Sequence, residues 1–220
     1  MNQISRNEAI EMLAEIDRRK AAKDPIFFIE NYLMTFDPRP EAPEHDLDFT
    51  LYPFQKNSMV PELVKAIKNG YDLFEEKSRD MGATWVLLAV YLWFWLFQKG
   101  FQALIGSRKQ DYVDDGTMDS LFPKLEYMLW HIKDLQLLPA GFSFKDDRTF
   151  MKLINPMNKN AIIGESANPN FGRSGRYQLF LWMKSVFGQM RSAVGRARPN
   201  LRPVESRSPR RQTNRVSRKG

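Results

Sequence analysis

Residues 85–97 (WVLLAVYLWFWLF) are thirteen consecutive apolar positions, and they set the tightest limit on how this chain folds. A membrane-crossing helix needs about 20 such residues, so the run falls short of a span. A helix apolar all round has to be covered all round, which calls for a layered domain. The run follows a polar loop, Lys77-Ser78-Arg79-Asp80-Met81-Gly82-Ala83-Thr84, and the loop follows a strand-like run over residues 71–76. Strand, tight loop and helix in that order are the context of a phosphate-binding loop. Loop amides and a helix N-terminus point at the anion, and a Ser or Thr hydroxyl reaches Mg²⁺. Against the pattern G-x-x-x-x-G-K-[ST], Gly82 and Thr84 fall in place, with Lys77 at the first Gly and Ala83 at the lysine. The competing reading is an ordinary polar loop between a strand and a helix.

At 220 residues the chain is long enough to bury a sizeable core as one domain. It has no cysteine, so disulfides, thiolate zinc sites and thiol nucleophiles are excluded for this sequence. The polar, acidic residues 1–17 do not look like a signal peptide. The charge is unevenly distributed. Residues 1–181 hold 22 Lys+Arg and 25 Asp+Glu, a net of −3, while residues 182–220 hold 11 basic residues and one acidic residue, Glu205, a net of +10.

Apolar positions at helical spacing (Ile10, Leu13, Ile16, with Met12) predict an amphipathic helix over residues 8–23. Asp24-Pro25 breaks it, a second helix covers 26–34, and Asp37-Pro38-Arg39-Pro40 with Pro43 makes a stiff loop. A helix is expected near 55–68. FQALIG (101–106) reads as a buried strand, followed by one helix from about Lys109 into Ile132. Residues 150–154 and 161–164 read as short strands joined through the turn-forming residues 155–160. YQLFL (177–181) is a last apolar strand. This alternation predicts an α/β domain with a largely parallel sheet.

Gln55, after Tyr52-Pro53-Phe54 and about twenty residues before the loop, resembles an adenine-recognition motif: a side-chain amide can bond the base edge while an aromatic ring packs on its face. An exposed Gln at a helix start is the alternative. Ser107-Arg108-Lys109-Gln110-Asp111 follows a strand, at the end where open α/β sheets place ligand contacts. The loop 168–176 carries Arg173 and Arg176, candidates for an arginine finger on a neighbouring subunit's ATP, for DNA-backbone contact, or for neither. His45 and His131 lack metal-ligand spacing and read as structural or exposed. Asp114-Asp115 and Asp146-Asp147 read as solvated turns.

Taken together, residues 20–181 resemble the ATPase domain of large terminase subunits, the DNA-packaging motors of tailed phages. A subset of that family carries its phosphate-loop lysine at the first loop position, as Lys77 stands here, with an arginine near Arg79. A lysine need only bring its ammonium to the phosphates, and either end of a short loop allows that. The resemblance implies a P-loop NTPase-type, mainly parallel sheet with flanking helices. It implies ATP and Mg²⁺ held by Gln55 and by Lys77, Ser78, Arg79, Asp80, Met81, Gly82, Ala83 and Thr84, with the Thr84 hydroxyl on the metal. It further implies double-stranded DNA, a portal protein and a small terminase subunit as partners, and a homo-oligomeric ring for the intact protein. The setting would be the cytoplasm of a bacterial host, with a phage or prophage origin and no membrane association. The expected organisation is an N-terminal helical segment (1–48), a partial ATPase domain (49–181) and a disordered basic tail (182–220). Two other readings stand beside it, a helicase-like P-loop motor and a non-enzymatic basic nucleic-acid-binding protein.

The resemblance requires an acidic pair directly after YQLFL, one carboxylate for the Mg²⁺ water and one for the attacking water. The chain reads Trp182-Met183-Lys184 instead. Trp and Met have single codons, TGG and ATG, and Lys begins AA. Read from its third base, TGGATGAA gives GAT GAA, Asp-Glu. A specified dipeptide arises by chance about once in several hundred positions, and this one falls where the family needs it. A reading-frame disruption near Leu181 accounts for both the missing pair and the Arg/Ser/Pro-rich composition beyond it, which lacks the apolar content to fold.

Overall fold

The computed structural model describes residues 5–39, 41–77, 81–166, 179–186 and 189–195, with 75–77 and the last two segments described by their backbone alone. Helix α1 (Arg6–Ala21) starts at a capping box: the Ser5 hydroxyl accepts from the Glu8 amide while the Glu8 carboxylate accepts from the Ser5 amide. Helix α2 (Pro25–Tyr32) starts at Asp24, whose carboxylate accepts from the Ile26 and Phe27 amides, with Pro25 at the first helical position. Strands β1 (Met34–Phe36) and β2 (Asp46–Asp48) pair antiparallel around the proline-rich loop. A π-helical turn, Gln55–Met59, leads into α3 (Val60–Asn69).

Strand β3 (Leu73–Lys77) precedes α4 (Ala83–Phe97), the helix that the apolar run demanded. Eleven of its fifteen residues are buried, from Ala83 to Trp95. Phe28, Ile29 and Leu33 at the end of α2 join the same continuous core, so the N-terminal helices are built onto the α/β layer rather than apart from it. The Trp93 indole donates to the Ala21 carbonyl at 2.8 Å and fixes the end of α1 on α4. At the other end of α4, Nδ2 of Asn155 and Nδ2 of Asn160 each lie 3.0 Å from the Trp95 carbonyl, while Asn160 Oδ1 accepts from the Phe101 amide at 2.7 Å. Last-turn carbonyls that have no partner within the helix are thereby satisfied.

Strand β4 (Gln102–Ser107) follows. The single helix expected over 109–132 does not form. Residues 110–112 make a 3₁₀ turn, Gly116 sits at φ 82°, and α5 covers only Leu121–Trp130. Asp115 takes the amide and hydroxyl of Thr117, each at 2.8 Å, and Ser120 bonds back to Thr117; these local side-chain bonds compete with helix. A short helix α6 (Phe144–Asp147) then leads to β5 (Arg148–Thr149), β6 (Lys152–Ile154) and β7 (Ala161–Ser166). Strands β8 (Leu179–Val186) and β9 (Gln189–Gly195) complete a seven-stranded sheet in the order β3-β9-β8-β4-β7-β6-β5.

Three sequence expectations are corrected. The sheet is mixed: β4 is parallel to β7 and β8, and its other four neighbouring pairs are antiparallel. The 155–160 turn is tight, and a tight turn returns the chain antiparallel. Residues 182–186 and 189–195, expected to be disordered, are strand backbone, continuing the apolar run Leu179–Met183 and pairing back along it. The basic segment at 196–220 lies outside the described residues. Finally, YQLFL does not lie in the last strand: β9 follows β8 and flanks it on the side opposite β4.

Lys124 on α5 is buried, donating to the Ser120 carbonyl at 3.0 Å and to the Met118 carbonyl. Burial pulls its pKa down from 10.5 to about 8, against the pull of Asp119 and Asp115. Between those two values the unfolded chain holds a proton the folded chain has lost, so stability rises with pH. Burial holds the Tyr91 and Tyr127 hydroxyls above their ordinary value of 10, which costs stability once unfolded tyrosines ionise, so the window to measure ends below pH 10. Urea unfolding at pH 7.5 and 9.5 should show a gain of about 2 kcal/mol. Lys124→Met should flatten that slope; a slope unchanged in the variant would assign it to other groups.

Candidate phosphate-binding loop and sheet edge

Strand directions decide what meets what. Both β3 and β8 are antiparallel to β9, so they run the same way; β4 is parallel to β8, and β7 to β4. The carboxyl ends of β3, β8, β4 and β7 therefore share one edge of the sheet. β3 ends at Lys77 and β4 at Ser107, so two segments singled out in the sequence begin at that edge; the 168–176 loop lies outside the described residues. Ligand sites in open α/β sheets form outside carboxyl ends.

Register refines this. Ser107 pairs with both Ser166 and Met183, and Gly106 with Trp182. Met183 pairs in turn with Ser192, and Ser192 with Glu75, two residues before Lys77. Positions 182 and 183, where the resemblance expects Asp-Glu, lie two strand spacings from β3, about 10 Å.

At the loop's far end, Gly82 is the N-cap of α4 at φ 64°, in the left-handed region, where glycine is strain-free. Its carbonyl accepts from the Val86 amide at 3.2 Å. The first-turn amides of α4 have no carbonyl partner within the helix, and Thr84 sits half-buried in that turn. Lys77 ends β3, but its side chain and all of Ser78, Arg79 and Asp80 lie outside the described residues, as do Arg173 and Arg176.

Gln55 is 2% exposed, and its amide is used within the chain. Oε1 accepts from the Tyr52 amide at 2.9 Å, and Nε2 donates to the Met81 carbonyl at 2.8 Å. In this structure it is a strut between the π-helical turn and the loop, leaving one N–H and one lone pair for any other partner. Single-turn π segments recur at functional sites. Beside it, Tyr52 and Phe54 are exposed, with rings 6.1 Å apart and 8° from parallel, apolar faces on which a flat ligand can pack. The sequence offered Gln55 as an adenine contact or as an exposed residue at a helix start; in the structure it is buried and bonded to the loop. The bond to Met81, 26 residues on, is visible only in three dimensions. Gln55→Ala leaves the Met81 carbonyl and the Tyr52 amide without these partners and should cost about 1–3 kcal/mol in urea denaturation. A loss below a few tenths would mean that water replaces the strut.

Beyond β4, Arg108 donates to the Tyr112 hydroxyl at 3.1 Å with its guanidinium 5.2 Å from that ring, and both are exposed. The two histidines bond backbone carbonyls through Nδ1, His45 with Asp37 at 2.8 Å and His131 with Tyr127 at 3.0 Å, and each lies against an aromatic ring. Asp146 and Asp147 lie in the short helix α6 and not in a turn, and Asp147 accepts from the amide of its N-cap residue, Ser143. Asp114 is no solvated turn residue either. It is buried and takes a two-pronged bond from Arg148. Among the described residues no His/Asp/Glu cluster could hold a metal, and no helix is long and apolar enough to cross a membrane.

No protein-family model matches the sequence, and no curated protein is similar enough to it to count as a relative.

Proposed function

We propose that this chain is the front part of a P-loop ATPase domain of the large-terminase type. In this reading ATP lies across the carboxyl edge, with its phosphates on the 77–84 loop and the first turn of α4. Mg²⁺ sits at the Thr84 hydroxyl, and the base lies toward Tyr52, Phe54 and Gln55. The observation that carries it is the common direction of β3, β8 and β4, which brings the loop, the Ser107–Asp111 segment and positions 182–183 to one edge. Lys77 supplies the positive charge that Ala83 lacks. By the same reading the intact protein is a ring-forming motor that drives double-stranded DNA into a capsid with a portal and a small terminase subunit.

The residues present fit Mg-ATP binding better than hydrolysis. Gly82 and the α4 N-terminus form the cradle, but Trp182 and Met183 offer no carboxylate to a metal or to water. In a frame-restored chain, Lys77→Ala should weaken Mg-ATP binding at least tenfold by calorimetry, as expected when a charge-assisted phosphate contact of ~1.5–3 kcal/mol is lost. Unchanged affinity would remove Lys77 from the site.

A further inference from the structure

Helix α1 presents two different sides. Ala14, Glu15, Arg18 and Ala21 turn inward, and Arg18 there binds Glu11 at 2.6 Å, Glu15 at 3.2 Å and Asp134 at 3.1 Å. On the other side Ile10, Leu13 and Ile16 are 56%, 63% and 57% exposed, with Met12 at their flank. Residues 6, 10, 13, 17 and 20 on that side are spaced 4, 3, 4, 3, the seam of a coiled coil. Arg6 and Asp17 bracket its apolar centre. Among the described residues neither has an ion-pair partner, although Glu11, Glu15, Arg18 and Arg19 on the same helix all do.

We propose that α1 pairs with α1 of a second copy of this chain, antiparallel across a two-fold axis. Ile10 then packs on Leu13, and Arg6 of each copy meets Asp17 of the other. The spacing 4-3-4 from Arg6 to Asp17 reads the same in both directions, so a reversed copy fits it position for position. A parallel pair would set Arg6 against Arg6 and Asp17 against Asp17, like charges at the seam. The reversed pair forms two ion pairs around four apolar side chains, an isologous contact. Lys20 is held by its own chain, its ammonium 3.8 Å from the centre of the Phe27 ring, and does not compete for Asp17. A 16-residue helix is about 24 Å long. One such pair buries less than the roughly 1,200 Å² of a standard interface, so the dimer is weak and concentration-dependent. It owes nothing to nucleotide.

Sedimentation of the full chain over rising concentration should show a monomer–dimer equilibrium. Leu13→Glu should abolish it without changing the circular dichroism, since Leu13 touches no core. Arg6→Glu should weaken it about tenfold, the size of a close charge pair turned repulsive, and the double variant Arg6→Glu/Asp17→Arg should restore it. Because the chain has no cysteine, mixed Arg6→Cys and Asp17→Cys chains offer a direct test of orientation. They should form a disulfide heterodimer on mild oxidation, while neither variant alone should cross-link. A chain monomeric at every concentration, a dimer that survives Leu13→Glu, or cross-linking of Arg6→Cys with itself would each overturn the proposal.

Discussion

Asp114→Ala should lower the free energy of unfolding by about 3–5 kcal/mol, the cost of leaving one member of a buried ion pair alone. The Asp114 carboxylate accepts from Arg148 at 3.0 and 2.8 Å and from the Met151 amide at 2.7 Å, so one side chain ties the turn after β4 to the start of β5. Side-chain exposure is 9% for Arg148 and 5% for Asp114, so water does little to screen the pair. The guanidinium also lies over the Phe122 ring at 5.0 Å, with Glu126 3.3 Å from its Nε. Removing the carboxylate strands a charge whose remaining anionic partner, among the described residues, is Glu126 at the surface side. The double variant Asp114→Ala/Arg148→Met should recover much of the loss, because the desolvation of both ions disappears together. Urea denaturation of the three proteins checks this. A single-variant loss below about 1 kcal/mol would show that the pair is solvated in practice.

What the sequence disclosed and what it hid follow from the range of the interactions. Helix α4 was legible because thirteen apolar residues in succession admit few other fates. The break at Asp24-Pro25 and the turn at 155–160 act over a few residues and were equally plain, whereas the Ser5 cap was missed and the first helix was begun at residue 8 instead of Arg6. The break at Gly116 was also local. Asp114-Asp115-Gly116-Thr117 is turn chemistry, and it was overridden by apolar spacing on both sides of it. The Asp114–Arg148 pair spans 34 residues, and the Gln55–Met81 strut spans 26, so neither leaves a local pattern. The carboxyl-edge convergence behaves likewise. Each loop could be read after its own strand, but that β3, β8 and β4 point one way depends on β9, a strand within a segment expected to be unstructured. Composition misled there because it averaged residues 182–186 and 189–195, which pair, with a far more arginine-rich remainder.

The chain as written should release phosphate from ATP no faster than its Lys77→Ala control, whereas a chain with Asp-Glu restored at 182–183 should gain on the order of a thousandfold, by analogy with removing preorganised charge from a phosphoryl-transfer site. The register explains why this position matters. Residues 182 and 183 sit beside Gly106 and Ser107, on a strand running the same way as β3 and two spacings from it. In the proposed reading a carboxylate at that register stands at the edge where β3 ends, at Lys77, whereas tryptophan and methionine have no carboxylate to offer Mg²⁺ or water. Restoring the frame at the codon of Leu181 supplies the pair by the same step that replaces the basic sequence beyond it. Nucleotide sequencing of the locus comes first: the shifted frame should read Asp-Glu at once and then stay open. Rapid phosphate release by the chain as written, lost in Lys77→Ala, would show that hydrolysis does not need the pair. A shifted frame closed by early stop codons would end the frame account, and the +10 charge over 182–220 would then have to be tested as a nucleic-acid arm. A steep fall of DNA affinity with salt, abolished by deleting those residues, would identify it as one.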